Sequence, residues 1–177
     1  MYVVTAQPPA AVTHSSLAHF TGPDVTNLII VKCTRLEVHT LSEHDGLVPV
    51  LDVGLYGRVA TMEVFRPPEE EQDLIFLTTE RYQFCVLRYD AAKRQITTKA
   101  QGELRNRIGR ATDSGPIGGV DPGCRMLGLH LYDGLFKAIP IGHHGSMKDA
   151  FDIRLEELQV SARGPREEGR ERVRERK

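Results

Sequence analysis

Apolar and polar residues alternate along residues 125–141 (RMLGLHLYDGLFKAIPI), on both sides of an Asp133-Gly134 pair. Two alternating segments around such a pair predict a β-hairpin with a two-residue turn, in which Gly134 takes the positive φ. Pairing across this turn predicts three cross-strand neighbours: Leu131 with Phe136, Leu129 with Ala138, and Leu127 with Pro140. One face of the hairpin is then apolar, and it requires a second layer to bury it.

The same pattern occurs twice earlier, at residues 27–41 (NLIIVKCTRLEVHTL) and 73–89 (DLIFLTTERYQFCVLRY). Each copy has a short apolar strand, a polar break and a second, alternating strand. The three copies begin at residues 27, 73 and 125. A hairpin that recurs at intervals of about 40 to 50 residues is typical of a β-propeller, whose blades are small antiparallel sheets packed face to face. The sequence therefore predicts an all-β fold with about three WD40-like blades of an incomplete ring.

The segments around the hairpins supply the remaining predicted elements. Further strands are predicted at residues 2–7, 17–20, 47–55, 58–65, 95–100 and 151–160. We expect 47–55 and 58–65 to complete a four-stranded blade with the first hairpin, followed by an acidic, solvated loop at Glu69–Glu71. Glycine-rich residues 102–119 show little periodicity and predict a long loop, a class of segment that is usually functional or disordered.

Composition is that of a soluble globular protein, with 40% hydrophobic and 27% charged residues among 177. The longest aliphatic run, 28–31, is far shorter than the ~20 residues of a membrane span. Cys33, Cys85 and Cys124 stand singly, as expected for thiols in a reducing compartment. These features favour a location inside the cell and no membrane contact.

Charge divides the chain into two parts. Residues 1–160 carry a net charge of −4, whereas residues 161–177 (SARGPREEGRERVRERK) carry +3. The second part has almost no apolar side chains with which to form a core, so the expected domains are a partial propeller at 1–160 and a disordered Arg/Glu-rich tail at 161–177. An acidic body offers no electrostatic footprint for a phosphate backbone, which argues against direct DNA binding.

Patterns of catalytic or metal-binding residues are weak. The close histidine pairs, such as His143-His144, have no carboxylate or cysteine at the sequence spacing of a metal site. Neither a nucleophile elbow nor a phosphate-binding glycine loop occurs. We therefore expect a protein that is not an enzyme and that requires no cofactor or metal.

Residues 105–110 (RNRIGR) stand out within the predicted long loop. Three arginines surround one isoleucine and one glycine, so guanidinium groups and an apolar anchor could reach a partner together. From the residues alone, an ordinary solvated basic loop is also consistent with this composition.

Four strings closely resemble one protein family: YVVTAQ at 2–7, NRIGR at 106–110, VDPGCRMLGLHLYDGLFKAIPI at 120–141 and FDIRLEEL at 151–158. They are similar to the N-terminal part of the large subunit of the damaged-DNA-binding complex, the adaptor of cullin-RING ubiquitin ligases. The similarity extends from Tyr2 to about Val160 without large gaps.

The resemblance implies a non-enzymatic scaffold that binds substrate-receptor proteins and acts in DNA damage recognition and repair. It implies a loop on the receptor-facing side, in which Arg107, Ile108, Gly109 and Arg110 are expected to contact the receptor, with DNA reached only through a receptor. Asn106 stands where the resemblance leads us to expect an acidic residue. The implied location is the nucleus and cytoplasm.

The family's first propeller needs about seven blades, whereas three are predicted here. The change of composition at Ser161 suggests a truncated product, for which cullin docking is not expected. Two alternatives stay open: a nucleic-acid-binding propeller fragment of the related splicing and 3′-end-processing factors, and a non-functional truncated product.

Overall fold

The computed structural model describes residues 8–106 and 109–155, which form three antiparallel four-stranded sheets. Sheet 1 contains β1 (His14–Ala18), β2 (Asn27–Lys32), β3 (Arg35–Ser42) and β4 (Gly46–Gly54). Sheet 2 contains β5 (Val59–Phe65), β6 (Leu74–Thr79), β7 (Gln83–Asp90) and β8 (Gln95–Glu103). Sheet 3 contains β9 (Ile117–Val120), β10 (Met126–Tyr132), β11 (Leu135–Pro140) and β12 (Phe151–Arg154). The predicted all-β fold is confirmed, and the three repeated hairpins are the central strand pairs.

One strand was assigned to the wrong sheet in the prediction for sheet 1. Residues 58–65 do not complete sheet 1, because β5 pairs with β6 of sheet 2, and the fourth strand of sheet 1 is β1. The chain leaves sheet 1 after Gly54, where the Leu55 and Val59 amides donate to the carbonyls of Thr34 and Cys33. Alternation identifies a strand but does not show which sheet it joins.

The sheets pack face to face and bury two apolar cores. The core between sheets 1 and 2 is formed mainly by Phe20, Ile29, Val31, Leu36, Val38, Ile75 and Leu77. The core between sheets 2 and 3 is formed mainly by Phe65, Leu74, Phe76, Leu104, Leu127, Leu129 and Ile139. The first strands of the sheets are neighbours, since β1 contacts β5 and β5 contacts β9. Successive sheets that stack in this way are the blades of a propeller.

The register of the third hairpin differs from the prediction. The two-residue turn is confirmed, with Tyr132 opposite Leu135, but a bulge follows between Leu129 and Tyr132. Beyond it the pairing is shifted by one residue, so that Leu127 lies opposite Ile139 and Leu129 opposite Lys137. The bulge lets the consecutive residues Leu131 and Tyr132 both be buried, which strict alternation would forbid.

The observed bounds of the long loop differ from the predicted ones by a few residues. The loop predicted at 102–119 is shorter, because β8 continues to Glu103 and β9 begins at Ile117. The predicted strand at 2–7, the end of the one at 151–160, and the tail at 161–177 lie outside the described residues.

Candidate functional site

The segment with the predicted receptor contacts connects sheet 2 to sheet 3 and is anchored where it leaves β8. Leu104 is 1% exposed, and its amide donates to the Tyr82 carbonyl at 2.6 Å. Two residues later the Asn106 amide donates to the Tyr132 hydroxyl at 3.0 Å. The rings of Tyr82 and Tyr132 stack with centroids 4.9 Å apart. This tyrosine pair fixes the start of the loop against both sheets.

The Asn106 side chain adds a second anchor, on sheet 3. Its Nδ2 donates to Asp152 Oδ2 at 2.8 Å, and the other oxygen of Asp152 lies 2.6 Å from Lys137 Nζ. Lys137 lies opposite Asp152 across β11 and β12, and its side chain is only 11% exposed. An acidic residue at position 106 would repel Asp152. The resemblance leads us to expect an acidic residue at position 106. In this chain the Asn106 side-chain amide instead anchors the loop to Asp152.

Gly109 resumes the described chain after residues 107–108 and packs on Tyr132. A Cβ added to Gly109 would lie 2.5 Å from two carbons of the Tyr132 ring, closer than a real side chain allows. The next residue is also fixed through its backbone, because the Arg110 carbonyl accepts a hydrogen bond from the Asp133 amide at 2.9 Å. The loop is thus held by Tyr132 and Asp133, at the turn of the third hairpin, on both sides of residues 107–108.

The side chain of Arg110 is exposed to solvent. Its side chain is 76% exposed, with Asp113 at 3.3 Å and Asp133 at 3.7 Å from its guanidinium nitrogens. Exposed ion pairs of this kind contribute little to stability, so the guanidinium can exchange these carboxylates for those of a partner at little cost. The Arg110 side chain is thus accessible to a partner, whereas Gly109 fixes the position of the loop backbone on Tyr132.

The four predicted site residues are therefore described in part. Gly109 and Arg110 lie in the anchored loop, and Arg107 and Ile108 lie outside the described residues. Sequence reasoning missed the anchors Tyr82, Tyr132 and Asp152. The sequence did contain one indication of the tyrosine pair. Tyr82 and Tyr132 each stand beside the turn of a repeated hairpin, the second and the third.

We expect removal of the Asp152 carboxylate to weaken the Lys137 anchor. Asp152→Ala should lower the free energy of unfolding by about 2 kcal/mol, because it leaves a mostly buried ammonium group without its partner. In a Lys137→Met background the same change should cost less than about 1 kcal/mol. Urea titrations of the four proteins, followed by circular dichroism, measure both costs. An equal cost of Asp152→Ala in both backgrounds would show that the ion pair contributes nothing.

The acidic loop predicted to be solvated is instead partly buried. The Glu70 side chain is 6% exposed and pairs with Lys99, while His144 Nδ1 lies 3.6 Å from its carboxylate. Glu69 pairs with His143 at 3.2 Å, and hydrogen bonds from its own backbone and from His143 hold the pKa of Glu69 below its usual range. These contacts join sheet 2 to the turn before β12. Within the described ranges, no three His, Cys, Asp or Glu side chains are grouped closely enough to bind a metal.

Comparison with known proteins identifies the family. Residues 11–164 match the family model described as the RSE1/DDB1/CPSF1 first beta-propeller. The chain belongs to this family. The resemblance stated from the sequence is confirmed, and with it the β-propeller fold class.

Curated relatives within the RSE1/DDB1/CPSF1 family are close in sequence. The chain is 58% identical over 159 residues to DNA damage-binding protein 1 of Oryza sativa subsp. japonica and 59% identical to that of Solanum lycopersicum. It is 57% identical to DNA damage-binding protein 1a of Arabidopsis thaliana. Each match covers 90% of this chain and 14% of the relative, so the chain spans about one seventh of the relatives' length. No helix in residues 8–106 and 109–155 has the length and apolarity that a membrane crossing requires.

Proposed function

We propose that this chain is a non-enzymatic interaction module of a cullin-RING ubiquitin-ligase adaptor, and that it binds substrate-receptor proteins in DNA damage recognition and repair. The observation that carries the proposal is the loop at 104–116, which two tyrosines and Asp152 anchor while Arg110 remains exposed. The relatives' name, DNA damage-binding protein 1, supports the assignment to the DNA damage response.

In this proposal Arg107, Ile108 and Arg110 contact the receptor, and Gly109 holds the backbone at its place on Tyr132. Guanidinium groups can bind carboxylates in a bidentate manner, and an isoleucine between them supplies an apolar anchor. The net charge of −4 over residues 1–160 supports a route to DNA through the receptor and not directly. We place the module in the nucleus and cytoplasm, without a cofactor and without a role in cullin docking.

Charge reversal of the loop tests the proposal. We expect Arg107→Glu/Arg110→Glu to reduce binding to purified substrate receptors of the ligase about tenfold, because two favourable charge contacts become repulsive. Arg125→Glu is the matched control. Arg125 is 82% exposed and pairs with an aspartate, as Arg110 does, but lies in the turn between β9 and β10.

Receptor affinity is measured by biolayer interferometry, and retention on single-stranded RNA is measured at rising salt in parallel. Unchanged receptor binding by the double variant would remove these arginines from the site. Retention on RNA that falls steeply with salt, without receptor binding, would instead favour a nucleic-acid-binding role.

A further inference from the structure

A groove of about 480 Å³ lies between sheets 1 and 2, on the side of their last strands. Its apolar wall is formed by half-buried side chains, and the buried core residues Leu36, Val59, Leu77 and Leu87 form its floor. The wall residues are Val53, Leu55, Phe84, Cys85 and Ile96. Tyr56, in the connection between the two sheets, lies at this groove with a fully exposed side chain. The volume and the mainly apolar lining are those of sites that take an apolar group of side-chain size or larger.

Polar groups along the groove are neutral with one exception. Thr79, Gln83, Thr98 and Gln101 contribute hydroxyl and amide groups. Among the described residues that line the groove, only Glu103 carries a charge at neutral pH, and its side chain is 62% exposed with Arg105 at 3.5 Å. The ion pair of Glu103 with Arg105 is exposed and therefore weak, so a cation of a ligand can replace Arg105 at this carboxylate. The groove is complementary to an apolar group that is followed by a cation.

The strands on either side of the groove indicate the kind of ligand. β4 and β8 are the outer strands of sheets 1 and 2 in the part of the chain that the structure describes. The outer edge of such a strand offers backbone donors and acceptors at the spacing of an extended peptide. A bound peptide can pair with such an edge while one of its side chains enters the groove.

We propose that this groove binds an extended segment of a partner protein, with an aliphatic or aromatic side chain in the apolar part and a neighbouring lysine or arginine at Glu103. The proposal does not depend on the receptor function proposed above. Its residues differ from those of the loop at 104–116, so the two can succeed or fail separately.

Selection from a library of random dodecamer peptides on the full chain tests the proposal. We expect the selected peptides to share an apolar residue beside a basic one. Thr98→Trp, which fills the groove from β8, should weaken their binding at least tenfold. Thr97→Trp is the matched control, since Thr97 lies on the opposite face of β8, with its hydroxyl on the Arg88 carbonyl. Equal binding by the two variants would overturn the proposal. If Glu103→Gln left peptide binding unchanged, the predicted contact between Glu103 and a basic residue of the peptide would be wrong.

Thiol labelling supplies a second measurement that needs no groove variant. Cys85 lines the groove, and in a Cys33→Ser/Cys124→Ser background it is the chain's only cysteine. The selected peptides should slow its alkylation by iodoacetamide at least fivefold, whereas peptides with the apolar residue replaced by alanine should not. Absence of protection would contradict the proposal. Equal protection by hexylamine at the same concentration would also contradict it, because the groove would then bind a small amphiphile and not a peptide.

Discussion

Gly109→Val is expected to reduce receptor binding about thirtyfold, which corresponds to the loss of about 2 kcal/mol from a hot-spot cluster. The reason lies in the contact with Tyr132. A Cβ at position 109 would lie 2.5 Å from the ring carbons Cγ and Cδ1, so the loop must move away from the tyrosine. Movement at this point shifts Arg110 and its neighbours together. The expected loss is therefore larger than the loss from reversing two charges, and biolayer interferometry with purified receptors measures both.

Gly119→Val is the control for this substitution. Gly119 lies in β9 with no atom within 4 Å of an added Cβ, and its φ is not positive. This control should leave receptor binding unchanged. Urea titrations show whether Gly109→Val still unfolds cooperatively, since a loop displacement should cost about 1 to 3 kcal/mol while the sheets remain intact. A folded Gly109→Val variant with normal receptor affinity would contradict the positioning role of Gly109.

The repeated hairpins could be predicted because both of their causes are local. Alternation reports which side chains face a core, and the Asp133-Gly134 turn sets the position of the strands on either side of it. The limit of this reasoning is visible within one hairpin. The pairing of Tyr132 with Leu135 follows from the turn, but the bulge before Tyr132 depends on burial of Leu131 and Tyr132 against sheet 2. No pattern within the hairpin contains that information.

Contacts between sheets were the least predictable part of the molecule. Glu70 stands in a run of three glutamates, which is typical of a solvated loop, yet its side chain is buried against Lys99 from β8 and His144 from the turn before β12. Asn106 and Asp152 are 46 residues apart and meet only because sheet 3 packs on sheet 2. The sequence indicated that 105–110 was unusual, but the residues that anchor it became visible only in the folded chain.

Asn27, the first residue of the first repeated hairpin, also makes contacts that could not be predicted from the sequence. Asn27 is fully buried, and its Oδ1 accepts hydrogen bonds from the Phe20 amide at 3.0 Å and the Thr21 amide at 2.8 Å. The Thr21 hydroxyl is a third donor at 2.9 Å, and Nδ2 donates to the Thr40 hydroxyl at 3.3 Å. One side chain thus accepts hydrogen bonds from two backbone amides of the segment that connects β1 to β2.

Asn27→Ala is expected to lower the free energy of unfolding by about 3 kcal/mol, because the Phe20 and Thr21 amides lose their acceptor and a cavity remains. The midpoint of a urea titration followed by circular dichroism gives this cost, provided that the slope is unchanged. Thr40→Val is the control, since it removes only the long bond to Nδ2 and should cost less than about 1 kcal/mol. If both variants lost the same stability, the acceptor role of Oδ1 would be wrong. The connection between β1 and β2 would then be held by the packing of Phe20 against Tyr89, whose ring centroid lies 6.2 Å away.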